Sequence, residues 1–286
     1  MDKVAIVADT IACLPREVVE RYGIEIVAPN IYFNGSVYRD WFDISPSEAY
    51  QLLERAPKLF STSSPSVADL AQTYRKLSEQ AENILCIIIS SKMSTFYNVA
   101  LLAKDMVKEE LPHTTIEILD SQTATGAEGF IVLAAARAAA EGKDINETIQ
   151  SAKRVREQVN LIFVLETIRH AYRSGRIPKV AAQIGGLLSV KPMLTIRDGT
   201  ARFNGMTRSK EKGVNHLLDV MHKKAGKKPV HVAVHHTDAP EEGERLKRRI
   251  QAEFDCAEIW CSEFSPLMGY VTGRGALGLA FYTDGS

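Results

Sequence analysis

The sequence predicts an α/β protein of two domains, an N-terminal mostly parallel sheet with helices on both faces and a C-terminal α+β domain with a largely antiparallel sheet. Two observations carry this reading. In the first half, short apolar runs alternate with amphipathic helical patterns, as in a parallel sheet wound by helices. In the second half, Arg197-Asp198-Gly199 separates Val190–Ile196 from Thr200–Met206, and Asp-Gly between two such runs signals a hairpin. The change of pattern places the boundary near 155–162, giving units of 1–160 and 161–286.

Taken in order, the strands expected first are Val4–Ala8, Ile24–Phe33, Ile84–Ile89 and Ile116–Leu119. Val67, Leu70, Ala71, Tyr74 and Leu77 share one helical face, and Ala100, Leu101, Val107 and Leu111 do so more loosely. The apolar stretch Gly129–Ala140 contains Arg137 and is shorter than the ~20 residues that span a bilayer, so it reads as a buried helix. Leu161–Glu166 follows as a strand, then the hairpin, then Val230–His235, Ala257–Phe264 and Leu277–Thr283, with helices over about 210–224 and 240–253.

Composition narrows the function. The 286 residues are 45% hydrophobic and 24% charged with a formal net charge of zero, so no broad basic field invites nucleic acid or an anionic membrane. Cys13, Cys86, Cys256 and Cys261 have neither CxxC spacing nor a zinc-ligand rhythm with the histidines. A reducing cytoplasm is the expected setting, with no signal peptide and no membrane anchor, since the apolar run after Met1-Asp2-Lys3 ends at Asp9.

The chemistry concentrates in two hydroxyl-rich stretches read as loops, Ser61-Thr62-Ser63-Ser64-Pro65-Ser66 and Ser90-Ser91-Lys92-Met93-Ser94-Thr95-Phe96-Tyr97. Each runs into a helical pattern, and the second follows a buried strand. Strand ends that feed helix starts are where open α/β sheets bind ligands. The free amides and positive dipole end of a helix favour an anion there. Thr62, Ser63, Ser91, Ser94 and Thr95 add donors without formal charge, which suits a carboxylate or a phosphate. Asp9-Thr10 and Asp120-Ser121 end two further strands on the same expected edge. Helix capping explains any one of these residues; the set points to a polar crevice.

Other motifs lead less far. Gly273-Arg274-Gly275-Ala276-Leu277-Gly278 spells GxGxxG but precedes a terminal strand and leaves no room for the acidic partner of a dinucleotide fingerprint, so close backbone packing is the better reading. GxxxxGK[ST], HExxH and GxSxG are missing from the sequence, and His235-His236 on one strand point to opposite faces, so neither metal nor cofactor is expected. A serine nucleophile requires a base within reach; Lys92 is near in sequence, but no nucleophile–base motif accompanies it. Arg176, in Arg173-Ser174-Gly175-Arg176, and Arg208 look like exposed guanidinium groups that either bind phosphate or a partner's acidic face, or are simply solvated.

Together these residues resemble the DegV family of bacterial fatty-acid-binding proteins over nearly the whole chain. Asp9-Thr10 with Leu14-Pro15 matches the family's opening D-S/T…L-P, and Thr62-Ser63-Ser64-Pro65-Ser66 matches T-S-x-P-S. Ser90 to Tyr97 matches S-S-x-L-S-G-T-Y in part. Asp120-Ser121, Ser174-Gly175-Arg176-Ile177, Val190-Lys191-Pro192 and Gly273 to Gly278 follow in the family's order. The resemblance implies a binding protein without a catalytic residue, holding one long-chain fatty acid between its domains. It implies carboxylate contacts from Thr62 and Ser94, and a fatty acid kinase as the partner to which the bound acid is presented. Thr95-Phe96 stands where the family has Gly-Thr, Ser174 where it has Gly, Val271 where a His is common and Arg274 where it has Pro. A Ser-dependent acyl hydrolase or transferase, and a binding module for a small phosphorylated metabolite, are the alternatives.

Overall fold

The computed structural model of the protein describes residues 3–177 and 190–284. A parallel sheet has the order β2-β1-β6-β7, from β1 (Val4–Asp9), β2 (Glu25–Val27), β6 (Asn83–Ile88) and β7 (Thr115–Asp120). A small antiparallel sheet has the order β4-β3-β5, from β3 (Asn30–Phe33), β4 (Ser36–Arg39) and β5 (Phe60–Ser63). A mixed sheet has the order β10-β9-β8-β13-β11-β12. Its strands are β8 (Asn160–Val164), β9 (Lys191–Arg197), β10 (Thr200–Thr207), β11 (Val230–His236), β12 (Cys256–Glu263) and β13 (Leu277–Thr283). Every neighbouring pair in it is antiparallel except β11 with β12.

Helices separate and cover these sheets. α3 (Val67–Ser78) and α4 (Phe96–Val107) pack together on one side of the parallel sheet, and α5 (Thr125–Ala140) and α6 (Ile145–Gln158) form a second pair. β6 is consequently buried at all its positions. α5 packs against β1 and β6 and also against β8, β11 and β13 of the mixed sheet. A helix held between two sheets has no solvent face, which accounts for the apolar run from Gly129 to Ala140. Its one cation, Arg137, lies at the margin and pairs with Glu258 of β12 at 2.7 Å. α8 (Lys210–Ala225) and α9 (Pro240–Glu253) cover the mixed sheet. One apolar core runs from Val4 of β1 to Tyr282 of β13, and a second, around Val164, Leu217, Val232 and Leu279, lies within the C-terminal half.

The hairpin forms as expected, with Thr200 opposite Arg197. Asp198 and Gly199 have φ of 51° and 73°, the left-handed pair that a tight hairpin turn demands. Two expectations need correction. Ile24–Phe33 is not one strand: β2 and β3 belong to different sheets, and the break falls at Ala28-Pro29, where proline has no amide for a ladder. Ser61–Ser63 is not loop but part of β5, with Thr62 opposite Ile31 of β3. Among the described residues no helix is long and apolar enough to cross a membrane.

Candidate functional site

A cavity of about 610 Å³ lies where residues from both sides of position 160 meet, within the size range of small-molecule sites. β5 contributes Thr62 and Ser63, and the turn from β6 into α4 contributes Ser91, Lys92, Met93, Ser94 and Thr95. From beyond residue 160 come Phe163 and Leu165 around the end of β8, Leu194, Ile196 and Ala201 of the hairpin, and Ser174 to Ile177 after α7 (Arg169–Arg173). Leu267, Met268, Val271 and Thr272 of α10 (Pro266–Thr272) complete the wall. All five hydroxyl residues singled out in the sequence therefore share one cavity, with Arg176.

The hydrogen bonds sort these groups by what they can still do. Arg176 Nη2 donates to Thr62 Oγ1 at 3.4 Å, and the amide of Phe96 donates to Ser94 Oγ at 3.2 Å. Among the described residues neither hydroxyl donates its own proton, so both remain donors toward the cavity. Ser64 and Thr95 hydroxyls pair with each other at 2.8 Å, tying β5 to the start of α4. Ser63 gives its proton to the carbonyl of Ser64 at 2.9 Å. Ser91 gives its proton to Asp120 Oδ2 at 2.5 Å, so it anchors the turn and offers the cavity only lone pairs.

The turn that carries Ser94 is held from the hairpin. Ser90, fully buried, donates to the carbonyl of Gly199 at 2.8 Å, and Lys92 Nζ donates to that of Asp198 at 2.8 Å. A Cβ on Gly199 would lie 2.5 Å from Ser90 Oγ, so this approach requires glycine as much as the turn does. Asp9 accepts from the amide of Ile11 at 2.8 Å, and Ser66 caps α3 through the amide of Asp69 at 3.1 Å; for these two the capping explanation holds.

Arg176 departs from the outward turn read in the sequence: the exposed residues are Arg173 and Gly175, while Arg176 is half-buried and lines the cavity. Arg208 is exposed just after β10 and does not line the cavity. Arg274 bonds Asp238 at 2.5 Å and Glu54 at 2.8 Å, a surface link between α2 (Pro46–Arg55) and the turn after β11. In the GxGxxG run, Gly273 has φ of 77° and a Cβ there would meet the His170 ring at 2.5 Å, which is a packing role. Sequence reasoning missed the apolar walls from α10 and the hairpin. Their signal was slight: α10 is seven residues long, and hairpin residues facing a cavity look like core. A second cavity of about 360 Å³, walled by Leu14, Val19, Ile26, Trp41 and Phe42 with Asp9, Thr10, Arg16 and Glu20, shares no residue with the first and has one hydroxyl, that of Thr10. Among the described residues no group of histidine, cysteine and carboxylate side chains could hold a metal ion.

Comparison with known proteins agrees with this architecture. A DegV domain-containing protein of Clostridium perfringens is 31% identical over 279 residues, which are 97% of this chain and 98% of the relative. A structure described as fatty acid binding of a DegV family protein from Thermus thermophilus superposes with a TM-score of 0.90 at 27% identity, over 99% of this chain and 100% of the other. A stearic acid-binding protein from Eubacterium ventriosum gives 0.88 at 27% identity, over 98% of each chain. The sequence profile of the DegV family, itself described as uncharacterised, matches residues 3–284, and the chain belongs to that family.

Proposed function

We propose that the protein binds one long-chain fatty acid in the 610 Å³ cavity between its two halves, units 1–160 and 161–286. One observation carries the reading: two hydroxyls with protons to give, Thr62 and Ser94, and the guanidinium of Arg176 share a cavity walled elsewhere by Ile11, Phe163, Leu165, Leu194 and Met268. Donors at the head and apolar carbon along the walls match a carboxylate with a tail. Each buried methylene contributes ~0.8 kcal/mol, so a tail of about 15 gives roughly 12 kcal/mol before ordering costs, which lower it substantially. Charged hydrogen bonds at ~1.5–3 kcal/mol then fix the head group's position. The fatty acids in the T. thermophilus and E. ventriosum relatives support the same class of ligand.

Binding accounts for the site better than acyl hydrolysis. Among the described residues the cavity lining holds no histidine, and the amine of Lys92 is engaged by Asp198, so Ser94 has no base beside it. The reading includes a fatty acid kinase as partner: Ser63, Ser91, Thr95 and Asn98 rim the polar part of the cavity and are exposed, so a carboxylate there stands within reach of a second protein. Organic extraction of the purified protein and mass spectrometry test the core of the proposal. A monocarboxylic lipid is expected. Protein that is empty and also fails to bind palmitate or oleate in titration overturns it.

A further inference from the structure

Of three fully buried carboxylates outside the cavity lining, Asp9, Asp40 and Glu128, the last beside Asp9, two join its walls by hydrogen bonds. Asp9 and Asp40 are both 0% exposed, and among the described residues neither pairs with a lysine or arginine. Burying such groups is costly unless hydrogen bonds satisfy them. Asp9, at the end of β1, accepts from the amides of Ile11 at 2.8 Å and Ile89 at 2.9 Å. Asp40 accepts from the amide of Leu267 at 2.8 Å and from the hydroxyl of Thr10. Tyr50, from the same stretch of chain as Asp40, donates to the carbonyl of Phe264 at 3.0 Å.

These bonds form a connected chain. It runs from Ile89, which opens the turn bearing Ser94, through Asp9 to the short 3-10 turn Thr10–Ala12, and from Thr10 through Asp40 to Leu267 at the start of α10. Ile89, Ile11 and Leu267 line the cavity; Asp40 does not, and Asp9 and Thr10 border the 360 Å³ cavity instead. One carboxylate is suited to the join because its two oxygens accept from two elements arriving from different directions. We propose that Asp40 is a positioning residue for ligand binding, holding α10 in place as a cavity wall and, with Asp9, coupling that wall to the turn that carries Ser94. This rests on the fatty acid reading of the cavity.

The test compares Asp40→Ala and Asp40→Asn with the unaltered protein, by palmitate dissociation rate and by amide hydrogen exchange with and without palmitate. Alanine leaves Leu267 and Thr10 without their acceptor. Asparagine keeps one acceptor for Leu267 and can direct its amide to the Thr10 oxygen. Asp40→Ala is expected to release palmitate at least tenfold faster, to speed exchange across α10, and to abolish the protection of α10 by palmitate while the Ser90–Thr95 turn is still protected. Asp40→Asn is expected to restore dissociation to within about threefold. A folded Asp40→Ala protein with unchanged dissociation and unchanged α10 exchange overturns the proposal, as does a loss that asparagine does not rescue. If Asp40→Ala fails to fold, Thr10→Val decides: it cuts only the link to the 3-10 turn, is expected to speed release severalfold, and overturns the proposal if release is unchanged. Absence of palmitate binding by the unaltered protein overturns the fatty acid reading instead, and α10 exchange in the ligand-free variants still judges whether Asp40 holds α10.

Discussion

Arg176 and Thr62 are 114 positions apart in the chain, yet the guanidinium donates to the hydroxyl at 3.4 Å inside the cavity. The bond occupies Thr62 as an acceptor and leaves its proton for a ligand, while Nη1 of the same guanidinium donates to the carbonyl of Ser174 at 2.5 Å and holds the fork in place. A carboxylate placed there meets a cation as well as a hydroxyl. Arg176→Ala is therefore expected to weaken palmitate binding by about 1.5–3 kcal/mol, the worth of a charged hydrogen bond. Arg208→Ala, outside the cavity, is expected to leave it unchanged. Titration of the two variants checks this; equal affinities for both would remove Arg176 from the head-group site.

Ser94 differs from the other serines of its turn in having its proton unspent. Ser94→Ala is expected to cost about 1–3 kcal/mol in fatty acid affinity, because the bound carboxylate loses a donor. Ser64→Ala is expected to cost less, since Ser64 is engaged with Thr95 at 2.8 Å. Calorimetric titration of both variants decides, and equal small losses would show that the carboxylate sits elsewhere.

Ser90 bears on stability rather than on direct contact. Its hydroxyl satisfies the carbonyl of Gly199 at 2.8 Å in a buried setting. Ser90→Ala leaves that carbonyl unpaired and is expected to lower unfolding free energy by about 1–3 kcal/mol. Denaturant unfolding measures it; a loss under about 0.5 kcal/mol would mean that solvent reaches the gap.

The parts legible in the sequence were those with a strong local signal. Ile84 to Ile89 is apolar because both faces of β6 are covered, and Asp198-Gly199 turns because both residues adopt positive φ. Motif order singled out Thr62 and Ser94, and both line the cavity. The small sheet escaped because β4 and β5 are four residues each, too short to show a period of two, and β5 is half serine. The orientation of Arg176 escaped for a different reason. A Ser-Gly-Arg run has the same look whether its arginine faces solvent or a hydroxyl 114 positions away.

Arg274 stands where the family pattern has proline, and its ion pairs explain what it does here. With the side chain 46% exposed, its pairs with Glu54 and Asp238 are surface interactions worth at most about 1 kcal/mol. Arg274→Ala is expected to lower the melting temperature by a few degrees at most and to leave fatty acid affinity intact, because the residue does not line the cavity. A marked loss of affinity with an unchanged melting temperature would place Arg274 in the binding path after all.

Asp40 makes stability depend on pH in a direction that can be worked out. Burial raises its pKa to about 6 from an ordinary 3.8, against hydrogen bonds from Thr10, Leu267 and Ser265 that lower it. Between pH 3.8 and about 6 the unfolded chain has released this proton while the folded protein retains it. The folded state then binds more protons, so this group's contribution to stability falls as pH rises through that window and is flat on either side. Two units at ~1.4 kcal/mol each set the drop at about 3 kcal/mol. Asp40→Asn cannot titrate, so the stability of the unaltered protein minus that of the variant is expected to decline from pH 4 to pH 6 and then level. Urea unfolding of both proteins across that range measures the difference curve. A curve that is flat, or that rises with pH, would show Asp40 to be ionised throughout and held so by its hydrogen bonds.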